Sequence, residues 1–363
     1  MPEPRIAPVA VDAMGGDFAP AAVVQGAVNA ARNGRPVVLV GKESAIRAEL
    51  DRLGAGQSLP LTVRHASEVV EMHDHPGQAM RRKKDNSIRV CFELVKSGEA
   101  SAMVSAGNSG AVLAGAMFVL GRIEGVDRPA IISVLPGLRG HPLMLDMGAV
   151  VDCKPIHLVQ FALMGEVYSR RVLGSARPRV AILSNGEEDS KGTELTRTAA
   201  QALRRAPIDF RGYCEGRDLL TGDFDVIVTD GFTGNVALKT MEGTAKVIGD
   251  FLKQGLKSNP LAMLGGALAS GALRKLKKRV DWREVGGAPL VGVRGLGFIS
   301  HGRSDALAIE NAVARAEQAA ITHFTDEIAR AVSIGESLLA ATTPPASPAI
   351  AEDPPPQPAP TGA

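Results

Sequence analysis

Short apolar segments rich in β-branched residues alternate with segments of helical periodicity along most of this chain. The helical segments include residues 20–33 and 193–205. Strands that are apolar along their whole length and separated by helices are typical of a mostly parallel sheet. The sequence therefore predicts an α/β fold in which helices cover both faces of a mostly parallel sheet. The apolar segments are VVLVG at 37, SAMVS at 101, PAIISVL at 129, PLMLDMG at 142, RVAILS at 179 and FDVIVTD at 224.

Four loops that follow apolar segments are rich in glycine and small polar residues. They are DAMGGD at 12–17, SAGNSG at 105–110, SNGEEDSKG at 184–192 and DGFTGN at 230–235. Glycine lets the backbone approach a ligand closely, and helix N-termini present free N–H groups to an anion. Ligands of open α/β sheets bind at the carboxyl ends of the strands. We therefore expect the four loops to lie in one sheet and to converge on a cleft for a phosphate-bearing ligand.

Two lysines accompany these loops. Lys191 lies within the acidic loop at 184–192, and Lys239 lies four residues beyond Asn235, one turn into the following helix. A lysine at such a position can neutralise a phosphate as a point charge. The alternative for each lysine is a solvated salt bridge at the start of a helix.

Other motifs give weaker signals. GVRGLG at 292–297 resembles a dinucleotide-binding loop only loosely, because it does not follow the required strand. His73 and His75 form an H-x-H pair without a second cluster at metal-ligand spacing, so no metal site is predicted. The basic run at 81–84 is interpreted as a solvated face, with an acidic protein partner as the alternative.

The composition argues against nucleic-acid binding. The formal net charge is +2 and aromatic residues make up 4% of the chain, so neither a basic field nor base-stacking platforms are predicted. The three cysteines, Cys91, Cys153 and Cys214, are far apart and are expected to be small core residues in a reducing cytoplasm. The N-terminal residues MPEPRIAP lack the pattern of a signal peptide.

The folded part is expected to be a single α/β domain over residues 1–335. A disordered tail rich in proline and alanine is expected over 336–363. Eight of the chain's 23 prolines fall within 343–363, and a segment of this composition cannot build a core.

Residues 253–280 are predicted to form a protruding amphipathic segment. Its apolar stretch at 261–273 is shorter than the roughly 20 residues that a spanning helix needs, and it ends in the basic run RKLKKR. Such a segment is expected to lie on an anionic bilayer without crossing it. The alternative is a helical hairpin packed on a dimer partner. The expected membrane contacts are Leu261, Leu264, Leu268, Lys275, Lys277 and Lys278, together with Met263, Leu273, Arg274 and Arg279.

Six motifs in one order resemble a known family. They are VAVDAMGGDFAP, SAGNSGA, LDMGAVVDCKPIHLVQFA, GEEDSKG, DGFTGNVALKTMEG and GAPLVGVRG followed by SHGRSD. Together they resemble the bacterial phosphate acyltransferases of phospholipid synthesis, the acyl-acyl-carrier-protein:phosphate acyltransferases of the PlsX type. The resemblance covers about residues 5–335.

The resemblance implies an activity and a setting. The family transfers a fatty acyl group from acyl-acyl carrier protein to inorganic phosphate, giving acyl phosphate for phospholipid synthesis, without a cofactor. Its fold is similar to the isocitrate/isopropylmalate dehydrogenase-like and phosphotransacetylase folds. A cytoplasmic homodimer is implied, peripherally associated with the inner face of the cell membrane. A membrane glycerol-3-phosphate acyltransferase consumes the product there.

Acyl transfer to phosphate requires the enzyme to position the phosphate and to stabilise developing negative charge. Phosphate is already an anionic nucleophile, and a thiol with a pKa near ~8.5 leaves easily, so the enzyme must orient the phosphate and stabilise an oxyanion. Lys191, Asn235 and Asn108 are the predicted catalytic residues. The predicted substrate- and phosphate-binding residues are Asp12, Gly15, Gly16, Asp17, Ser105, Gly107, Ser109, Asp146, Asn185, Gly186, Glu187, Glu188, Asp230, Gly231, Gly234, Lys239 and His301.

Two points remain open at this level. Carboxylates repel phosphate, so one of Asp12 and Asp17 is expected to accept loop N–H groups, and the other to orient a lysine or the pantetheine arm. The family usually has Asn–Ile–Gly before its acidic pair, whereas this chain has Ser184–Asn185–Gly186.

The rival functions are a nicotinamide-dependent dehydrogenase on a related fold and a non-catalytic module that binds a carrier protein or a membrane.

Overall fold

The computed structural model describes residues 6–56, 58–284 and 286–341, and within them the strands form two sheets. The strands are β1 (Val9–Asp12), β2 (Val37–Gly41), β3 (Leu61–His65), β4 (Ala102–Ser105), β5 (Ala130–Ile131), β6 (Ser133–Val134), β7 (Leu143–Leu145), β8 (Arg179–Leu183), β9 (Asp209–Cys214), β10 (Val226–Val228), β11 (Ala288–Val291) and β12 (Gly297–Ile299). The helices are α1 (Ala21–Arg32), α2 (Glu43–Arg52), α3 (Pro76–Arg82), α4 (Ser87–Ser97), α5 (Ser109–Gly115), α6 (Pro155–Arg171), α7 (Glu194–Leu203), α8 (Gly231–Leu256), α9 (Pro260–Leu268), α10 (Ser270–Val280), α11 (Ala306–Ile321), α12 (Phe324–Val332) and α13 (Gly335–Ala340).

The first sheet contains seven strands in the order β3–β2–β1–β4–β12–β11–β5. The first five are parallel, whereas β11 runs antiparallel to both of its neighbours. Val9 and Val11 of β1 face a core shared with α1 and α11, while Ala10 between them faces a second core with α4 and α5. Because successive side chains of a strand point to opposite faces, helices cover both faces of this sheet, as predicted.

The second sheet contains five strands in the order β6–β7–β10–β8–β9, parallel except for β6. The chain passes between the sheets at Ile132. Ile131 pairs with Leu290 in the first sheet, and Ser133 pairs with Met144 in the second. One cluster of buried side chains includes residues from strands of both sheets, so the two sheets share an interior.

The structure explains the glycines at 292–297 and changes one sequence expectation. GVRGLG at 292–297 is the turn between the antiparallel strands β11 and β12, with Gly292 and Gly295 at φ of 89° and 147°. Its glycines serve a hairpin and not a nucleotide. The tail was expected to begin at 336, but helix α13 extends to Ala340, and its Leu338 and Leu339 pack against the core. The rest of the predicted tail, 342–363, lies outside the described residues.

The segment from residue 243 to residue 280, here called the arm, is helical and mostly exposed. It comprises most of α8 together with α9 and α10, which continue through Gly265, Gly266 and Gly271. Arg279, near its end, donates hydrogen bonds to the carbonyls of Gly137 and Leu138. Among the described helices, none is both long enough and apolar enough to span a bilayer.

Candidate active site

The four glycine-rich loops divide between the two sheets. The loops at 12–17 and 105–110 follow the neighbouring strands β1 and β4, and the loops at 184–192 and 230–235 follow the neighbouring strands β8 and β10. The expectation that all four lie in one sheet is therefore wrong. The same alternation of strand and helix fits one sheet or two, since strand pairing is a long-range choice. The structure instead gives two pairs of adjacent loops, each at the carboxyl edge of its own sheet.

Asp12 is the structural centre of the first pair of loops. Its buried carboxylate accepts a hydrogen bond from the Met14 amide at 3.1 Å and another from the Ser105 hydroxyl at 2.6 Å. The Ser105 oxygen in turn accepts the Gly107 amide at 3.0 Å. Burial raises the pKa of Asp12, although these hydrogen bonds oppose the rise. Asp12 is thus the carboxylate that fixes the glycine turn.

The two loops approach each other through glycine. A Cβ at Gly15 would lie 2.5 Å from Asp12 Oδ2 and 2.7 Å from the Gly107 nitrogen, so no larger residue fits there. Gly16 has a φ of 108°, which side chains rarely adopt. Asp17 follows with an exposed side chain, and its amide donates to the Gly302 carbonyl at 2.8 Å. Ser109 begins α5, where it is exposed.

Asn108 holds a neighbouring loop. Its side-chain oxygen accepts the Ala111 amide at 3.1 Å and caps α5, while its NH2 group donates to the carbonyls of Met72 and Asp74 at 3.1 and 3.0 Å. The Lys83 ammonium binds the Asp74 carboxylate at 2.5 Å. Both ends of the Asn108 amide are therefore occupied, and these contacts favour a positioning role over contact with reacting atoms.

Asp146 occupies the corresponding position in the second sheet, directly after β7. Its buried carboxylate accepts three backbone N–H groups, from Ile131 at 2.9 Å, Ala149 at 3.1 Å and Val150 at 2.6 Å. Burial raises the pKa of Asp146. A Cβ at Gly234 would lie 2.0 Å from the Asp146 carbonyl oxygen, so the first turn of α8 packs directly on this residue.

The N-cap and first turns of α8 carry five of the predicted site residues, Gly234 among them. Asp230 caps the helix by accepting the Thr233 amide at 2.8 Å, and Gly231 is buried against Asp146. Asn235 lies beside Gly148 with an exposed side chain. Lys239 forms an exposed ion pair with Glu242 at 2.9 Å, which is the salt-bridge alternative considered for it.

The loop after β8 is closed by Asn185, whose side-chain oxygen accepts the Gly192 amide at 2.9 Å. A side-chain amide contact therefore exists despite the departure from the family pattern. A Cβ at Gly186 would lie 2.7 Å from Lys191 Cγ and 2.8 Å from Glu188 Oε2, so these side chains pack over the glycine. Glu187 pairs with Arg217 at 2.9 Å. Lys191 is exposed and, in the described part of the chain, its ammonium has no carboxylate partner.

The pKa of His301 is influenced by charged residues of both sheets. It follows β12, the strand beside β4, and its Nδ1 accepts the Arg303 amide at 3.1 Å. Burial lowers the pKa of His301, and the positive charges of Lys239 and Arg303 lower it further. Lys239 belongs to α8 of the second sheet, and Asp17 of the first sheet also influences the imidazole. Charged groups from both sheets therefore act on the imidazole of His301.

Three contributors were not singled out from the sequence. The Gly302 carbonyl anchors Asp17, Ser87 of α4 approaches the Asp12 carboxylate, and Asp74 links Asn108 to Lys83. Gly302 lies inside the SHGRSD motif, which was a usable signal. Asp74 lies between His73 and His75, where only the histidines drew attention.

The cysteines and the His73–His75 pair show no metal-binding cluster within the described residues. Cys91 and Cys214 are buried and Cys153 is half-buried, and burial raises the pKa of all three thiols, for Cys153 to about 12. His73 and His75 are exposed. Among the described residues, no group of three or more His, Cys, Asp or Glu side chains could hold a metal ion.

The predicted membrane contacts lie on the arm. Leu261 and Leu268 are exposed to 79% and 82%, and Met263 and Leu264 are also exposed. Arg274, Lys275, Lys277 and Lys278 are exposed on α10, while Leu273 is only partly so. Arg279 is exposed as well, but one nitrogen of its guanidinium donates hydrogen bonds to the backbone carbonyls of Gly137 and Leu138.

Solved structures with this fold define its class. A phosphotransacetylase from Streptococcus pyogenes matches 86% of this chain and 94% of its own, with a TM-score of 0.57 and 16% identity. A protein described as a 4-hydroxythreonine-4-phosphate dehydrogenase from Salmonella typhimurium matches 87% of this chain and 100% of its own, with a TM-score of 0.55 and 13% identity. The chain thus has the α/β fold shared by phosphotransacetylases and dehydrogenases of this kind.

Sequence relatives place the chain more narrowly. A family model described as "Fatty acid synthesis protein" matches residues 7–327. A phosphate acyltransferase from Anaeromyxobacter sp. (strain K) is 77% identical over 335 residues, which are 92% of this chain and 93% of the relative. A phosphate acyltransferase from Geobacter sulfurreducens is 54% identical over 323 residues, 89% and 90% of the two chains. The chain belongs to this family of phosphate acyltransferases, as the six sequence motifs indicated.

Proposed function

We propose that this chain transfers a fatty acyl group from acyl-acyl carrier protein to inorganic phosphate. The products are acyl phosphate, for phospholipid synthesis, and the free carrier protein. The observation that carries the proposal is the 77% identity to a phosphate acyltransferase over 335 residues. The family match over 7–327 includes all four site loops. The nicotinamide-dependent dehydrogenase reading is supported by a likeness of fold alone.

Some polar side chains of the site have partners within the protein and others have none in the described structure, and this difference supports specific catalytic roles. In the described part of the chain, the Lys191 ammonium has no ion-pair partner and the Asn235 amide makes no hydrogen bond, whereas Asn108 is fully used. We assign Lys191 to neutralising the phosphate, as a point charge. We assign Asn235 to donating an N–H to the developing oxyanion. The first-sheet loops supply a closely packed backbone framework, which depends on Gly15 and Gly16.

The proposed reaction needs no covalent enzyme intermediate. A phosphate oxygen attacks the thioester carbonyl carbon, a C–O bond forms, and the negative charge moves to the carbonyl oxygen. When the carbonyl re-forms, the C–S bond breaks and its electron pair leaves on the carrier's sulfur as a thiolate. A thiol pKa near ~8.5 makes this a good leaving group. The protein contributes orientation and electrostatic stabilisation.

The reaction class is tested by thiol release from acyl-acyl carrier protein, measured with and without phosphate and with no nicotinamide cofactor present. We expect thiol release only when phosphate is supplied, together with stoichiometric acyl phosphate, trapped as its hydroxamate. Release at the same rate without phosphate would identify a thioesterase and refute the proposal. Absence of release in both conditions would leave a non-catalytic module as the better account.

We further propose that the arm places the enzyme on an anionic bilayer. The exposed leucines of α9 can enter the interface, while Lys275, Lys277 and Lys278 face anionic head groups, each contributing on the order of 1 kcal/mol at low salt. Such an arrangement delivers acyl phosphate close to a membrane glycerol-3-phosphate acyltransferase. Co-sedimentation with anionic vesicles should be strong for wild type and lost for Leu268→Glu. Ile321→Glu, an exposed position outside the arm, is the control. Equal sedimentation of all three proteins would contradict the proposal.

The α8 part of the arm suits a second copy of the chain. Val247 and Phe251, like Ile248 and Leu252, are one helical turn apart, and all four are exposed, Phe251 to 67%. We propose that this face forms the homodimer. Sedimentation velocity should show a dimer for wild type and a monomer for Phe251→Glu. An unchanged dimer in that variant would mean that the dimer interface is not this face of α8.

A further inference from the structure

Three cations at the end of α3 have no acidic partner in the described part of the chain. Arg81 and Arg82 close the helix and Lys84 follows it, and all three side chains are exposed. Within the described residues, none of them forms an ion pair. Lys83 between them behaves differently, because it binds the Asp74 carboxylate at 2.5 Å and the Val69 carbonyl at 2.7 Å. The basic run therefore divides into one structural lysine and three available cations.

These cations lie close to the candidate active site. Helix α3 begins at Pro76, immediately after the loop that Asn108 holds through the carbonyls of Met72 and Asp74. A Cβ at Gly110, in the first turn of α5, would lie 2.6 Å from Pro76 Cγ. Seven helical residues span about 10 Å. The basic end of α3 is therefore about one short helix away from the first-sheet loops.

An aromatic side chain adjoins the cations. Phe118 is 50% exposed, and the Arg81 guanidinium carbon lies 5.6 Å from the centre of its ring. This distance is within the range of a cation–π contact, which pre-orders the arginine. Arginine is among the residues that most often dominate protein–protein binding energy, and phenylalanine is enriched at such interfaces. The surface formed by Arg81, Arg82, Lys84 and Phe118 is called the basic ridge below.

We propose that the basic ridge docks the protein that carries the acyl thioester, through an acidic face of that carrier. The inference rests on the proposed function and names the surface that its donor uses. A carrier seated on the ridge needs only to extend its thioester about the length of α3 to reach the site loops. An anionic bilayer is the less suitable occupant, since interfacial binding needs a broad apolar face and the ridge offers one aromatic ring. Charge complementarity of this kind mainly raises the association rate and weakens with salt.

The test compares two donors on the same variant. Arg82→Glu combined with Lys84→Glu reverses two ridge charges without touching Lys83 or Asn108. At low salt, the KM for acyl-acyl carrier protein should rise about 10-fold or more, with kcat nearly unchanged. The rate with a small acyl-pantetheine thioester, which needs no docking, should stay within about twofold of wild type. Lys96→Glu, in the last turn of α4 at the opposite edge of the sheet, is the matched control.

Each other outcome overturns the docking role. Equal losses with both donors would mean that the ridge supports the active site itself. Unchanged KM for the carrier would mean that the ridge does not dock it. Unchanged KM with weaker co-sedimentation on anionic vesicles would assign the ridge to the membrane. Failure of the proposed function is distinguishable, because wild type would then show no phosphate-dependent thiol release with either donor.

Discussion

The two sheets end in similar buried carboxylates but leave different groups for chemistry. Asp12 at the end of β1 and Asp146 directly after β7 each fix the loop that follows them through hydrogen bonds. Around Asp12, the polar side chains of Ser105 and Asn108 are also consumed by internal contacts. In the second sheet, Lys191 and Asn235 are exposed and carry no described ion pair or side-chain hydrogen bond.

This difference suggests a division of labour. The first sheet offers a rigid backbone surface, in which glycine at 15 and 16 allows neighbouring loops of the chain to pack closely. The second sheet offers unpaired side chains whose charge and N–H groups can respond to a substrate. Substitutions in the first pair of loops should therefore act on stability, and substitutions of exposed side chains in the second pair should act on turnover.

The largest expected effect is on turnover. Lys191→Ala should lower kcat/KM by roughly 10²-fold or more, the scale of losing one group that stabilises transition-state charge. Its thermal unfolding should match wild type, because Lys191 is exposed and unpaired in the described structure. Steady-state kinetics with varied phosphate provide the measurement, and Lys96→Ala is the control. Near-normal turnover would show that Lys191 is an ordinary solvated surface lysine without a catalytic role.

The next effect separates the two carboxylates. In Asp146→Asn, either orientation of the amide points its NH2 group at a backbone N–H, because both oxygens accept backbone donors. We expect a loss of about 3 kcal/mol of unfolding free energy, near the upper end for an unsatisfied buried group. In Asp12→Asn the NH2 group can face Ser105, whose hydroxyl can rotate, so about 1 kcal/mol is expected. Urea unfolding of both variants measures the difference, and equal losses would break the comparison.

Local patterns predicted the elements better than their assembly. The apolar segments at 37, 101 and 179 and the helical segment at 20–33 correspond to β2, β4, β8 and α1. The partition into two sheets depends on the crossing at Ile132, within one apolar run that gives no sign of a break. The turn between β11 and β12 at 292–297 was not predicted, because its glycines suit several kinds of loop.

The site could be predicted in part for a similar reason. Motif residues such as Asp12, Asn108 and Asp146 do lie at strand ends, where the strand–loop–helix pattern placed them. The sequence could not assign their roles, because a hydrogen-bond partner such as the Met72 carbonyl is 36 residues distant from Asn108. Lys83 and Lys84 are adjacent in sequence, yet among the described residues only Lys83 of these two forms an ion pair, with Asp74.

A smaller effect tests the two asparagines. Asn108→Ala removes the cap of α5 and releases the carbonyls of Met72 and Asp74, so a loss of about 1–2 kcal/mol is expected. Asn235→Ala removes an exposed side chain without a described hydrogen bond and should stay within about 0.5 kcal/mol of wild type. Thermal unfolding of the two variants measures this. A larger loss for Asn235→Ala would show that it is structural.

The smallest effect is the pH dependence of stability around Asp12. Burial raises the pKa of this carboxyl above 3.8, so between pH 3.8 and the raised value the folded protein binds more protons than the unfolded chain. The contribution of Asp12 to stability is therefore fully present below the lower value and declines as pH rises through the upper one. Neighbouring Cys91 stays neutral, because its thiol pKa is also raised.

The measurement is the difference in unfolding free energy between wild type and Asp12→Asn at pH 4 and pH 7. Carboxyls with lowered pKa values, such as Asp74 and Asp85, are common to both proteins and cancel in this difference. The advantage of wild type should be smaller at pH 7 than at pH 4. The change should be modest, since the hydrogen bonds from Ser105 and Met14 oppose the effect of burial. An advantage that grows with pH would mean that these bonds outweigh burial, and that the Asp12 loop is held by charge.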